Sequence, residues 1–269
     1  MTRKLRPAVA LFALGMMGLG ALGIATGDFA DEWQPLIAWS AGRTALGYAA
    51  AAVMLACGAA LLAERSAKWS ARILLPWLAV WQVLRLVPLV RQPGTEGNWE
   101  VAGEVAVMLA GGLVLLAGID SMGERVRLGW LSGKRAVRLA QVWFGVWLIP
   151  IGLSHFFYAA ITYSMVPAWM PWRGAWGPIV GVAHIVAGIA VLCGARIGVL
   201  SRVAARCWAG MIFLFVLLVW TPAVAAHPRA AGNWSELITS WAMAAGAAVV
   251  AQGFGEAQAM ASSEQKSRQ

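Results

Sequence analysis

The sequence predicts an all-α, polytopic membrane protein of about eight transmembrane helices, arranged as two tandem four-helix bundle repeats with both termini in the cytoplasm. Three observations predict it: the composition, the spacing of apolar segments and an internal repeat. Of the 269 residues, 60% are hydrophobic and 12% are charged, with a mean hydropathy of +0.69. A soluble domain carries about 25% charged residues, so a soluble globular fold is excluded. A net charge of +9 would suggest an acidic partner in a soluble protein. Here it reads as membrane topology, with the lipid bilayer as partner and no role for nucleic acid. Cys57, Cys193 and Cys207 form no C-x-x-C pair and have no histidine at metal-ligand spacing, so they read as small apolar residues.

Apolar segments fall at residues 7–27, 43–63, 72–91, 102–119, 138–161, 176–194, 203–225 and 236–253. Each is close to the roughly 20 residues needed to cross a hydrocarbon core about 30 Å thick. Several are apolar around the whole helix, as lipid or a protein-filled bundle on all sides demands. The first also carries Gly15, Gly18, Gly20 and Gly23, small residues that let helices approach closely in lipid.

Orientation follows from the 21 Lys and Arg. Sixteen fall on one side: Arg3, Lys4, Arg6, Arg65, Lys68, Arg72, Arg125, Arg127, Lys134, Arg135, Arg138, Arg196, Arg202, Arg206, Lys266 and Arg268. The alternate loops hold Arg43, Arg91, Arg173 and Arg229, and Arg85 lies inside a span. This bias places both termini in the cytoplasm and Asp28, Asp31, Glu32, Glu96, Glu100 and Glu236 on the outer side.

Residues 3–27 also resemble a signal peptide, with a basic start and small residues near Ala25. The repeat argues against cleavage. GNWEVAGEVAVMLAGGLVLLAG at 97–118 is matched by GNWSELITSWAMAAGAAVVAQG at 232–253, 135 positions later. At nearly the same offset Pro88 matches Pro222, Pro93 matches Pro228, Gly47 matches Gly181, Arg72 matches Arg206, and Gly18-Leu19 matches Gly152-Leu153. The expected organisation is a first repeat over 7–119, a basic cytoplasmic linker over 120–137, a second repeat over 138–253 and a polar cytoplasmic tail over 254–269. An even number of spans per copy gives the copies one orientation, and removing helix one would break the symmetry.

Ionisable residues inside spans are costly and mark candidate sites. Arg85 and Glu104 both lie within roughly 10 Å of the outer surface at 1.5 Å per residue. They are expected either to pair across the hairpin or to snorkel to the interface. His155 and His184 lie at a common depth of roughly 10–13 Å on consecutive antiparallel helices. Two such imidazoles suit three roles: ligating a haem iron or a metal, holding a quinone carbonyl, or hydrogen bonding between helices without a ligand. The first half has no histidine at the matching positions, near Gly20, Ala21 and Ala50, so any such site belongs to the second half.

The stretch Met165-Val166-Pro167-Ala168-Trp169-Met170-Pro171-Trp172 resists helix on both sides of Trp169, and is expected as a re-entrant lid placing Trp169 and Trp172 over the histidines. Most of the 16 Trp read as an interfacial belt. Asn98 and Asn233 stand where helix N-caps would. There is no Walker loop, no H-E-x-x-H and no G-x-S-x-G. Ser154 beside His155 is expected not to face it, because neighbours at i and i+1 diverge on a helix.

From Gly152-Leu153-Ser154-His155-Phe156, through the 165–171 loop, to Gly181-Val182-Ala183-His184-Ile185-Val186-Ala187-Gly188, the second half resembles the DoxX family of bacterial four-helix membrane proteins. The family has a Gly-x-x-His-Phe-like end to its first helix, a proline-bracketed aromatic loop and a polar group one turn after a glycine on its second helix. The resemblance covers about 100 to 115 residues, and reaches the first half only through the repeat. It implies a multi-pass protein of the bacterial plasma (inner) membrane, linked to redox or envelope-stress functions, in a family most of whose members have no assigned activity; it leaves enzyme status open, with a membrane redox subunit as candidate partner. Family members often carry a carboxylate where this chain has His184, so no catalytic residue transfers. The leading expectation is binding of a quinone or similar apolar molecule near His155, His184 and the 165–172 loop in support of a membrane redox process. The alternatives are a small-solute transporter using Arg85, Glu104, His155 and His184, and an accessory subunit with no ligand.

Overall fold

The computed structural model describes residues 7–29, 41–120, 133–194 and 198–266. Arg3, Lys4, Arg6, Asp31, Glu32, Arg125, Arg127, Arg196 and Arg268 lie outside the described residues, as does most of the expected 120–137 linker. The described chain is helical: α1 (Pro7–Thr26), α2 (Arg43–Leu61), α3 (Glu64–Arg91), α4 (Glu96–Asp120), α5 (Gly133–Phe157), α6 (Ala159–Met165), α7 (Arg173–Cys193), α8 (Gly198–Phe215), a π turn (Val216–Trp220), α9 (Thr221–Ala226) and α10 (Ala231–Lys266). Eight of these segments are long and apolar enough to cross a bilayer, with α8, the π turn and α9 forming one continuous span. This is the architecture of a multi-pass α-helical membrane protein.

The helix ends move in ways that matter for function. α4 starts at Glu96 and not near residue 102, so Glu96 and Glu100 become helical and occupy its first turns. Negative side chains there complement the positive end of the helix dipole. α5 stops at Phe157, short of the expected 161, and the chain turns at Tyr158, whose hydroxyl accepts the Gly97 backbone N–H at 3.1 Å. α10 continues to Lys266 through the expected tail, a run of Glu, Gln, Ala and Met with good helix propensity.

Asn98 and Asn233 do not act as N-caps. Both sit inside their helices and reach back to the preceding one: Asn98 Nδ2 donates to Pro88 O at 3.3 Å and Gln92 O at 3.2 Å, and Asn233 Nδ2 donates to Ala223 O at 3.1 Å. The neighbouring indoles do the same, Trp99 Nε1 to Pro93 O at 2.9 Å and Trp234 Nε1 to Pro228 O at 3.0 Å. Each Gly-Asn-Trp thus clasps a helical hairpin through side-chain bonds to carbonyls at and just beyond the end of the preceding helix.

α4 and α10 form the centre. Their spans are 78% and 72% buried, against 22–50% for the other six. They touch where Gly111 faces Gly246: a Cβ on Gly111 would lie 2.8 Å from the Gly246 Cα, so the approach requires glycine at 111. α1, α2 and α3 close one side of this pair, with α1 on α10 and α3 on α4; α5, α7 and α8 close the other, with α5 on α4 and α8 on α10. The bundle end that carries the α3–α4 turn and the 166–172 loop is the distal end, and the end that carries the α2–α3 turn is the proximal end.

Candidate functional site

Two pairs of glycines assemble the second side. Gly145 and Gly188 meet near the middle of α5 and α7, and Gly152 and Gly181 meet one level nearer the distal end. A Cβ on Gly152 would fall 2.6 Å from Gly181 O and 2.9 Å from His184 Cβ; one on Gly181 would fall 3.0 Å from His155 Cβ. Each histidine follows its glycine by three residues, so close backbone approach brings the imidazoles together. Their ring centroids are 5.0 Å apart. The sequence expectation that His155 and His184 share one depth on neighbouring helices matches this placement.

His184 is 1% exposed. Its Nδ1 accepts the Trp208 indole N–H at 2.8 Å. An indole nitrogen only donates, so Nδ1 carries the lone pair and the neutral ring holds its proton on Nε2. That Nε2–H is buried and has no hydrogen-bond partner. His155, half-buried, has the opposite arrangement. Its Nδ1 lies 3.1 Å from Ile151 O, and a carbonyl only accepts, so the proton is on Nδ1 and Nε2 keeps the lone pair. One imidazole offers a donor and the other an acceptor.

On the α4 side of the pair, Ser154 Oγ donates to Glu100 Oε1 at 2.9 Å, also contacts Ile151 O at 2.8 Å, and lies 3.4 Å from His155 Nδ1. Ser154 and His155 therefore approach each other despite being sequence neighbours, because the serine turns back along the helix. On the proximal side, Phe144 and Leu148 are fully buried and Ile212 is 4% exposed. Phe144 packs edge-on against Trp208 with centroids 5.5 Å apart. Beyond them Gln141 Nε2 donates to Val191 O at 2.8 Å and to Ser201 Oγ at 3.0 Å, tying α5 to α7 and α8. The π turn at Val216–Trp220 immediately precedes Pro222, whose ring displaces the regular i−4 bond. Phe215, just before it, lies 6.4 Å from His184.

The other sequence candidates stand apart from this cluster or outside it. The 166–172 loop is not a lid. Arg173 laces it to itself, with Nε 3.0 Å and Nη2 2.8 Å from Val166 O and its guanidinium over the Tyr163 ring, and Trp176 Nε1 holds Pro171 O at 2.9 Å. Trp169 and Trp172 point outward, 70% and 82% exposed, and suit an interfacial belt. Trp172 adopts φ 50°, the left-handed region, to begin α7. Arg85 is half-buried on α3, which packs on α2 and α4 and does not border α7. Glu104 is half-buried one turn inward from Glu100 on the same face of α4.

A haem held between the two histidines does not fit: two axial Fe–N bonds of about 2 Å plus the ring radii need about 6 Å between imidazole centres, with a macrocycle between them. The 5.0 Å separation is shorter. Among the described residues no group of three or more His, Cys, Asp or Glu is placed to hold a metal.

Sequence reasoning missed Glu100, Trp208 and the use of Ser154. Glu100 was legible, since an acid three residues after Gly97 opens a helix as readily as it ends a loop. Nothing in the sequence separates Trp208 from the other 15 Trp. No family model, curated protein or solved structure matches the chain.

Proposed function

We propose that the second side of the bundle binds a lipid-soluble molecule bearing a hydroxyl or its oxidised carbonyl, of the quinone type, in support of a membrane redox process. One observation carries the reading: the buried His184 Nε2–H has no acceptor, and the His155 ring, whose Nδ1 faces Ile151 O, stands 5.0 Å away between ring centroids. A hydroxyl answers both rings, accepting from His184 and donating to His155, and a carbonyl answers the first. A buried donor left unpaired costs about 1–3 kcal/mol, which ligand binding recovers.

The setting we propose is a duplicated, DoxX-like protein of the bacterial inner membrane, with both termini cytoplasmic and the distal end facing outward. Supporting it are the 16-to-4 charge bias, the two Gly-Asn-Trp clasps 135 residues apart and the contact of Gly111 with Gly246 at the same offset. The proposal includes a redox subunit of the membrane as its partner.

The test is extraction of lipid-soluble molecules from protein purified in mild detergent, together with decylubiquinone binding. Wild type is expected to retain such a molecule or to bind the probe saturably, and His184→Leu and His155→Leu to lower occupancy at least tenfold. Absence of binding in wild type, or equal binding in the variants, rejects the reading and leaves a bridging water. Solute uptake into liposomes that depends on Arg85 or His184 would favour a transporter instead.

A further inference from the structure

The first side of the bundle carries a polar feature of its own, on the outer face of α3. This helix is 28 residues long, about 42 Å at 1.5 Å per residue, and overshoots a hydrocarbon core about 30 Å thick. The stretch from Arg72 to Arg91 spans about 28 Å, and every exposed side chain between the two arginines is apolar. They therefore mark the edges of the core, and residues 64–71 lie at headgroup depth at the proximal end.

The exposed residues of α3 form one stripe. From Trp69 it runs through Ile73, Val80, Val83, Val87 and Val90, at steps of three, four or seven residues that keep to a single helix face. Trp69, at the head of the stripe, is 58% exposed and carries two cations on its ring, Lys68 Nζ at 5.6 Å and the Arg72 guanidinium at 5.2 Å from the centroid. Arg65 stands one turn earlier on the same face, and Glu64 is the acid of the first turn. Nothing in this arrangement serves the helix itself. Cations so near a helix N-terminus oppose its dipole, and like charges at i, i+4 such as Lys68 and Arg72 repel. Charge bias across the membrane accounts for cations at this end, but not for an indole that holds two of them together at the top of an apolar stripe.

We propose that Lys68, Trp69 and Arg72 hold the phosphate of an anionic phospholipid whose acyl chain lies along the α3 stripe from Ile73 toward the distal end. The ring keeps the two cations side by side, so one phosphate takes the paired N–H donors of the guanidinium and the point charge of the ammonium together. An anionic headgroup is favoured over a zwitterionic one, because a choline or ethanolamine ammonium would stand among Arg65, Lys68 and Arg72 and be repelled. The stripe favours a lipid over free phosphate, since only a lipid has a chain to cover it. The second side has Arg202 and Arg206 at the positions 134 residues later, with Val203 in place of Trp69, so it repeats the cations without the ring that holds them. The lipid site and the imidazole pair lie on opposite sides of the α4–α10 pair, and neither depends on the other.

The test uses full-length protein in phosphatidylcholine nanodiscs containing a trace of phosphatidylglycerol with a diazirine in its acyl chain, followed by illumination and peptide mapping. Labelling should concentrate on the α3 peptide, be displaced by unlabelled phosphatidylglycerol, and persist when inorganic phosphate or extra phosphatidylcholine is added. Lys68→Gln and Arg72→Gln should each lower it about fivefold, and the two together about 30-fold. Trp69→Leu, which keeps an apolar surface, should lower it about threefold. Lys68→Arg keeps the charge and should label like wild type, which separates loss of the site from loss of the fold. Arg202→Gln combined with Arg206→Gln removes the same charge from the second side and should leave α3 labelling unchanged.

Uniform labelling of all the lipid-exposed helices would overturn the site, as would α3 labelling that survives the combined Lys68 and Arg72 substitutions. An equal loss in the Arg202 and Arg206 variant would reduce it to general charge attraction and reject it. Displacement by inorganic phosphate would show an anion site with no selectivity for lipid, and cross-linking of α3 to a second copy without a lipid adduct would assign the face to self-association; either result contradicts the proposal.

Discussion

The two sides of the bundle, α1–α3 and α5, α7 and α8, both pack on the α4–α10 pair and have different interiors. On the second side Glu100, Ser154, His155, His184 and Trp208 converge. The positions 134 or 135 residues away are Ser235, Gly20, Ala21, Ala50 and Leu74. Of these, Ala50 and Leu74 are 3% and 0% exposed, and the first interior is filled by Phe12, Met16, Met54, Leu61 and Leu78. Of its buried polar side chains, Ser70 bonds to Cys57 O at 2.6 Å, and Gln82 bonds to Ala102 O at 3.3 Å through Nε2 while its Oε1 has no partner. The first side packs, and the second packs around groups able to hold a proton. Packing alone does not require the polar groups, which makes the polar interior the candidate for function.

The largest expected break in this comparison comes from the glycines. Gly152→Val forces a side chain against Gly181 O and His184, and should cost about 2–3 kcal/mol and abolish decylubiquinone binding. Gly20→Val, whose Cβ would lie 2.6 Å from Ala51 O on the first side, should cost a similar amount in thermal unfolding while binding survives. Loss of binding in both would erase the functional distinction between the sides.

Next is the His184–Trp208 bond. His184→Leu strands the indole donor and Trp208→Phe strands an imidazole acceptor, each costing about 1–3 kcal/mol. The double variant should cost less than the sum, with a coupling of about 1–2 kcal/mol in a double-mutant cycle. Strict additivity would show that the bond does not order the site.

A smaller effect separates the two buried serines. Ser70→Ala loses one bond to a carbonyl and should cost about 1 kcal/mol. Ser154→Ala also leaves Glu100 without its hydroxyl donor, so its cost in chemical unfolding should be the larger of the two.

The smallest effect lies at the distal rim of the first side. Arg43 Nε holds Asp28 Oδ1 at 2.8 Å, and this hydrogen bond, helped by the Phe29 backbone N–H and opposed slightly by burial, lowers the Asp28 pKa. A lowered folded-state pKa stabilises above the unfolded value and loses that contribution as pH falls through the folded one. Asp28→Asn should therefore remove about 0.2–1 kcal/mol at neutral pH, and the difference from wild type should vanish once the pH falls below the lowered Asp28 pKa. The Asp28 side chain is 42% exposed, so screening keeps the effect small.

Much of this fold was legible because the bilayer constrains it strongly. Apolar length identified the spans, and the Gly-Asn-Trp match pointed to two hairpins that prove to be fastened alike. The histidines were legible because an imidazole inside a span is rare. What escaped depends on helix register and partner identity. Placing the α4 start near residue 102 left Glu100 in a loop, and six residues of additional helix turn it toward Ser154. The Pro-Trp loop looked like a lid because its composition resists helix, yet composition says nothing of the Arg173 contacts that hold it outside. Trp208 matters only through the lone pair it occupies, a relation between α7 and α8 with no signature in either segment.

The central claim is that the imidazole side, and not its apolar counterpart, receives the ligand. Photo-labelling of the full-length protein with an azido-ubiquinone analogue, followed by peptide mapping, tests it most directly. Saturable labelling of the α5 and α7 peptides that carry His155 and His184, displaced by decylubiquinone and lost in His184→Leu, is the result expected. Labelling confined to α1–α3, or labelling that decylubiquinone does not displace, would contradict it.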